Sequence, residues 1–425
     1  MMIIKNGLVF RKNRFKKMDV LIRNGKISKI AENIESAKEN EIIDATGKYI
    51  FPGFVDLHSH LRDPGQTYKE DIVTGTRAAA RGGYTTICAM PNTEPIVDNI
   101  ATVEYIKRKA NDLGYCKVQV IGALTKKSEG KEIAEIANML EGGIVAVSDD
   151  GNCVQNTKIM LNAMKYVSSF NIPIIIHAED YSLSGKGQIN AGKMSTKLGL
   201  SGIPALAEEI VISRDIMLAE NLKCHLHIAH ISTARAVQMV REARTRGLNI
   251  TAEVTPHHLL LTEEACVNYD TNTKVKPPLR TEKDRQACIE GLLDGTIDFI
   301  ATDHAPHSDF EKEKEFSIAP FGINSLETSF ASLYTGLVMN KIIDLHFLIQ
   351  KLSTSPAQFL ALNCGEVSKG KDGDLTIVDL DAEITFTPEN MLSKANNTPY
   401  INKTLRGMIV KTICNGRVTW NSDSK

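Results

Sequence analysis

Between residues 49 and 301 the chain alternates eight short apolar, β-branched runs with longer amphipathic segments. The runs fall at 49–57, 84–90, 117–124, 143–147, 173–176, 223–229, 249–254 and 298–301, and helical periodicity lies between them at 98–113, 130–141, 202–221, 232–247 and 281–294. Eight strand–helix units in series are satisfied by a parallel sheet that closes on itself inside a ring of helices, so the pattern predicts an α/β chain with a (β/α)8 TIM-like barrel. A doubly wound open sheet is the competing arrangement, but no GxGxxG follows an early strand.

At 425 residues the chain is longer than one ordinary domain. Its two ends share a texture the middle lacks. Met2-Ile3-Ile4-Lys5-Asn6-Gly7, Asp19-Val20-Leu21-Ile22-Arg23-Asn24-Gly25 and the stretch 407–416 each close on Asn-Gly, a hairpin signal, and 374–379 reads as a further strand. We therefore expect residues 1–50 and 366–425 to form one small β-sandwich domain and 51–365 to form the barrel.

Composition narrows the function classes. Fifty basic residues face 51 acidic ones with no basic block, which argues against nucleic acid or an anionic membrane as partner. No apolar run approaches the roughly 20 residues that span a bilayer, and the first residues turn polar too soon for a signal peptide. Eight scattered cysteines without a CxxC pair read as buried, reduced thiols. A cytoplasmic location is expected.

The ends of the predicted strands carry the chemistry. Run one ends in His58, His60 and Arg62, run two in Asn92, run four in Asp149-Asp150, run five in His177, run six in His230 and run eight in Asp303, His304 and His307. In a barrel these ends share one face, where active sites are built. A core gains nothing from burying imidazoles and carboxylates, so folding needs do not explain them. Four histidines and two aspartates exceed the needs of one tetrahedral ion and suit two metals about 3.5–4 Å apart sharing a carboxylate and a hydroxide. Such a hydroxide attacks a polarised carbonyl, with Asp303 moving the proton as general acid and base. Arg62 offers a fork to a substrate carboxylate and Asn92 an amide beside it. The residues thus point to making or hydrolysing an amide-type bond in a small anion. Spacing does not choose between Asp149 and Asp150 as the bridge.

A family resemblance sharpens this. The stretches Phe51-Pro52-Gly53-Phe54-Val55-Asp56-Leu57-His58-Ser59-His60-Leu61-Arg62-Asp63-Pro64-Gly65, Met90-Pro91-Asn92-Thr93, Ser148-Asp149-Asp150-Gly151, His177-Ala178-Glu179-Asp180, Gly199-Leu200-Ser201-Gly202-Ile203-Pro204, His230-Ile231-Ser232-Thr233, Pro277-Pro278-Leu279-Arg280, Asp303-His304-Ala305-Pro306-His307 and Pro320-Phe321-Gly322-Ile323 resemble the amidohydrolase superfamily and, within it, the class I bacterial dihydroorotases. The resemblance implies zinc, two ions per subunit: His58 and His60 hold one, His177 and His230 the other, Asp150 bridges, and Asp303 is the metal-bound proton shuttle. It implies substrate contacts from His60, Arg62, Asn92, His307 and the Phe321-Gly322 backbone. The implied reaction interconverts N-carbamoyl-L-aspartate and (S)-dihydroorotate plus water, a step of pyrimidine synthesis. A homodimer, with possible aspartate transcarbamoylase association, follows from the same source. One position departs: Lys276 stands where the family usually carries a substrate-contacting asparagine, and a lysine meets a carboxylate as a flexible point charge.

Two alternatives belong to neighbouring classes. Hydantoinases and allantoinases, by the same resemblance, bridge their metals with a carbamylated lysine after strand four, and here no lysine occurs from Gly143 until Lys158. An inactive scaffold for a transcarbamoylase would have lost ligands, and none is missing. Among the other histidines, His225 and His227 are expected to be structural, His257 and His258 to stand near the site at most, His304 to orient its loop, and His346 to lie on a helix surface. Asp56 is expected to play a structural or supporting part. The run 311–315 reads as a solvated loop placed where a lid would sit.

Overall fold

The computed structural model describes residues 1–35 and 41–423. The run expected as one strand over 49–57 is two. Tyr49–Pro52 pairs with Leu375–Thr385, whereas Phe54–Ser59 pairs with Tyr84–Ala89. Between them Gly53 donates its N–H to Asp374 O (2.9 Å) and accepts from Ser353 Oγ (2.7 Å). A Cβ at this residue would collide with Thr85 Oγ1, so only glycine lets the chain pass from one sheet to the other here.

Eight parallel strands follow in chain order around the barrel: β1 (Phe54–Ser59), β2 (Tyr84–Ala89), β3 (Lys117–Ala123), β4 (Ile144–Ser148), β5 (Ile174–Ile176), β6 (Leu226–Ile228), β7 (Ile250–Val254) and β8 (Phe299–Ile300). Their near-continuous apolar sequence reflects burial on both faces. Val55, Leu57, Cys88, Ile121, Ala146, Ile175 and Phe299 fill the interior, while Phe54, Ile87, Val120, Val147 and Leu226 meet the surrounding helices. Expected helices appear at Ile100–Leu113, Leu206–Leu222, Ala234–Thr245 and Glu282–Leu293, capped at three starts by Asn99, Thr233 and Thr281. The segment 130–141 is helical only over Ile136–Glu141. Its first half is instead a loop that bonds back to Leu124 and Lys126.

β1 and β8 close the circle without a regular ladder. Ser59 bridges His304, and His60 N donates to His304 O at 2.8 Å. Deeper in the seam Asp56 accepts from both Thr302 N and Thr302 Oγ1 at 2.7 Å. Its carboxyl, pushed up to about 7 by burial, is the fastener of the barrel.

The two chain ends make a separate sheet, ordered Arg417–Asn421, Thr404–Cys414, Leu375–Thr385, Tyr49–Pro52, Met2–Arg11, Arg14–Arg23 and Lys26–Ala31, with Glu41–Asp44 forking off Met2–Arg11. It encloses its own core of Ile4, Val20, Ile22, Ile50, Leu375 and Ile413. Asn24-Gly25 and Asn415-Gly416 are hairpin turns with positive φ at both residues, as expected. Asn6-Gly7 is not a turn. It lies within Met2–Arg11, where the register shifts, and Asn6 N reaches Asp19 Oδ1 at 2.9 Å. The pair makes a bulge, for which one positive φ, 64° at Asn6, suffices. His346, expected on a helix surface, packs against Phe15 (5.0 Å between ring centres) where this sheet meets the barrel. No helix among the described residues is long and apolar enough to cross a membrane.

Removing the Thr302 hydroxyl leaves Asp56 Oδ2 buried without that donor. We expect Thr302→Val to lower unfolding free energy by about 1–3 kcal/mol in denaturant titration; an unchanged midpoint would show that the seam does not depend on this bond.

Candidate metal centre

His58 is the penultimate residue of β1 and faces the mouth of the barrel together with His60, Asp150 after β4, His177 after β5, His230 after β6 and Asp303 after β8. All six are at most 7% exposed. Their donor atoms converge on two points that share Asp150: His58, His60 and Asp150 about one, Asp150, His177 and His230 about the other, each set within 4.8 Å. His230 Nε2 lies 3.3 Å and His177 Nδ1 3.5 Å from Asp150 Oδ1, while His58 Nε2 and His60 Nε2 lie 3.3 and 3.5 Å from Oδ2. Asp303 Oδ1 is 3.2 Å from His60 Nε2. Three of the residues bearing these and the neighbouring groups hold unfavourable positive φ: His230 at 36°, Asp303 at 45° and Arg62 at 58°.

The two aspartates after β4 divide their work. Asp149 turns away, accepting from Leu124 N and Thr125 N at 2.9 Å and from the Thr125 hydroxyl, so it shapes the loop. Asp150 alone faces the imidazoles. Burial opposes its ionisation, but His58, His177 and His230 hold it well below the usual carboxylate range. Asp303 is likewise held low against burial, by the His60 hydrogen bond and the nearby His58.

Each of three rings is gripped from behind, at the nitrogen turned away from Asp150. Glu253 Oε1 meets His58 Nδ1 at 2.6 Å, Asn92 Oδ1 meets His60 Nδ1 at 2.8 Å, and Glu179 Oε2 lies 3.5 Å from His177 Nε2. This fixes which ring atom points inward. Glu253 was not singled out from the sequence. A glutamate inside the apolar strand β7 was its one signal, and its second oxygen bonds His227 Nε2 at 3.2 Å. That contact, with Thr251 on Nδ1 (2.9 Å), satisfies His227 as a structural residue; His225 also bonds Thr251. His258 is held by Thr255 and Pro277 O, and buried His257 has no hydrogen-bond partner among the described residues through either nitrogen. His304 Nδ1 accepts from Ser325 N at 3.3 Å and so ties its loop.

A cavity of about 350 Å³ opens beside Asp150, lined by His60, Arg62, Asn92, Lys276, His307 and Phe321 among others. Arg62 is buried, its Nε donating to Pro306 O at 3.3 Å. His307 Nε2 donates to Phe321 O at 2.9 Å, and burial with Arg62 alongside pushes its pKa down to about 2, so the ring is neutral. Lys276 borders the cavity with its ammonium on Glu179 Oε1 at 2.8 Å. The strap Ser308–Ile323 is not a solvated loop throughout. Lys312 is buried and donates to Pro320 O (3.0 Å) and Gly322 O (3.1 Å), and Lys274 caps Phe316 O and Ala319 O. Asn397, from beyond the barrel, accepts from His307 N and donates to Gly322 O at 3.0 Å each, a role without any local sequence signal.

Imidazoles gathered with carboxylates that are held ionised, all shut off from bulk water, suit a divalent metal, which takes the imidazoles in their neutral form. The fit shows in His58 Nε2, which is buried and makes no hydrogen bond among the described residues although Asp150 Oδ2 lies 3.3 Å away.

The fold is shared with solved hydantoinases: L-hydantoinase (dihydropyrimidinase) from Arthrobacter aurescens superposes with a TM-score of 0.89 at 24% identity, covering 99% of this chain and 96% of that one. D-hydantoinase from Thermus sp. gives 0.85 at 24%, covering 99% and 95%. Fold and site together define a (β/α)8 barrel with a candidate metal centre at its mouth. A dihydro-orotase-like family model matches residues 47–236. The curated dihydroorotase of Caldanaerobacter subterraneus subsp. tengcongensis is 46% identical over all of this chain and 98% of its own length, and that of Thermoanaerobacter sp. is 47% identical with the same coverage. The chain belongs to the dihydroorotase family.

Glu253→Gln keeps shape but removes the charge behind His58. We expect a 10- to 100-fold loss of affinity for Co2+, on the scale of about 10–100-fold for such supporting partners, read from the absorption of the bound ion. Unchanged affinity would take Glu253 out of the centre.

Proposed function

We propose that the protein is a zinc-dependent dihydroorotase that interconverts N-carbamoyl-L-aspartate and (S)-dihydroorotate plus water in pyrimidine synthesis. The observation that carries this reading is Asp150, a carboxylate faced by four imidazoles in the same cavity as Arg62. No lysine lies between Gly143 and Lys158 to bridge in its place, which favours dihydroorotase over a hydantoinase or allantoinase.

His58, His60 and Asp150 would hold one Zn2+, and Asp150, His177 and His230 a second. Such ions supply an acidified water and a Lewis acid for the substrate carbonyl. Arg62 binds the carboxylate common to substrate and product, its guanidinium fixed by Pro306 O. Asn92 spends its oxygen on His60, leaving its NH2 for the substrate. His307, neutral and tied to Phe321 O, holds the Phe321-Gly322 backbone against the ring. Asp303 is ionised and therefore starts as a base. In hydrolysis its carboxylate takes the proton of the attacking water and delivers it to the departing ring nitrogen. In ring closure it removes the ureido N–H proton and gives it to the departing carboxylate oxygen, which takes its second proton from solvent and leaves as water. The buried site keeps bulk water from competing for these protons.

Assembly and location belong to the same reading. Leu206, Ile210 and Met217 are exposed along one side of Leu206–Leu222, which supports a homodimer. Eight buried free cysteines support the reducing cytoplasm.

Metal-loaded protein should close N-carbamoyl-L-aspartate and leave hydantoin and allantoin untouched. Asp303→Asn should lower kcat by about 10²–10⁴-fold, and Arg62→Met should act mainly on KM. Activity on hydantoin instead would replace the substrate assignment, and inactivity on all three would return the scaffold reading.

A further inference from the structure

The three gripped imidazoles are not gripped alike. His58 has Glu253 at 2.6 Å and His60 has Asn92 at 2.8 Å, but the carboxylate behind His177 stands off at 3.5 Å. Its other oxygen is engaged by the Lys276 ammonium at 2.8 Å. Glu179 is thus drawn toward a full cation and away from the ring it backs. Glu179 is 6% exposed and the Lys276 side chain 29%, so the carboxylate end of the pair is shielded while the ammonium keeps some contact with water. The lysine is itself held in place, with its ammonium 5.0 Å from the centre of the Phe321 ring.

A carboxylate that accepts an imidazole N–H raises the basicity of the opposite ring nitrogen and tightens that nitrogen's hold on a metal. An ammonium on the same carboxylate withdraws charge from it.

We propose that Lys276 is a positioning residue for the metal centre, acting through Glu179 on His177, so that the position made by Asp150, His177 and His230 binds its metal more weakly than the position made by His58, His60 and Asp150. The inference rests on the two-metal reading above and concerns metal affinity, independent of which substrate is turned over. It assigns Glu179 a task that its place in the chain, two residues after a ligand, does not disclose.

The test is a titration of demetallated full-length protein with Zn2+ against a competing chromophoric chelator. Wild type should show a tight and a weak equivalent. Lys276→Met, which keeps length and removes charge, should tighten the weak equivalent about tenfold and leave the tight one alone, and Lys276→Asn should do the same. Glu179→Gln should weaken that equivalent by about tenfold. In a Glu179→Gln background Lys276→Met should have little further effect, since its route is gone. Melting temperatures of the metal-free variants, expected to match wild type, separate this from misfolding. Equal changes in both equivalents, no change with Lys276→Met, or a full Lys276 effect without Glu179 would each overturn the proposal. Uptake of no metal by wild type would overturn the two-metal reading with it, whereas failure on N-carbamoyl-L-aspartate would remove only the substrate.

Discussion

Two carboxylates, Asp150 and Asp303, stay ionised although almost no solvent reaches them. A buried charge without partners is far too costly to survive in a folded chain. Much around the mouth of the barrel answers that demand. Four imidazoles surround Asp150, and Arg62 stands in the adjoining cavity. The rings must present the correct nitrogen, so each needs an acceptor behind it; Glu253, Asn92 and Glu179 serve three of them. The strained backbone at His230 and Asp303 belongs to the same account, because the side chains point where the charge requires.

That arrangement holds only if the strand ends keep their spacing. The barrel seam is the weak place, since β1 and β8 share few backbone bonds, and Asp56 with Thr302 fastens it two residues below His58. At the top, the strap beside the cavity is fixed by lysine ammoniums that cap carbonyl oxygens rather than carboxylates. Asn397 links that strap to chain arriving from the second sheet. The terminal sheet therefore does more than flank the barrel, because the segment between two of its strands borders the active site.

Where the sequence was legible, its signals were local and periodic. The eight apolar runs set out the strands, and Asn24-Gly25 and Asn415-Gly416 announced their turns because both residues in each pair take positive φ. Asn6-Gly7 has the same letters, yet it sits in a bulge because Asp19, thirteen residues on, engages its backbone. The run at 49–57 carries its divider in Pro52-Gly53, a breaker pair that a tally of apolar residues passes over, and the close approach of Thr85 to Gly53 shows why the break falls there. The mixed charges at 311–315 looked uniform, but the carbonyls of Pro320 and Gly322 take Lys312 inside while Glu313, Lys314 and Glu315 stay out.

By itself the sequence determined the barrel and which imidazole and carboxylate side chains meet at its mouth, because strand periodicity places residues after each strand on one face whatever the packing details. It placed Arg62 beside those side chains by the same rule. Only the tertiary structure decided which of Asp149 and Asp150 faces the histidines, since adjacent residues at a turn differ in direction and not in spacing. It alone brought Glu253 and Asn397 to the site and set the Lys276 ammonium on Glu179, through contacts between elements far apart in the chain. Hydrogen-bond direction and the sharing of one carboxylate between a ring and an ammonium are matters of distance, and distances exist only after folding.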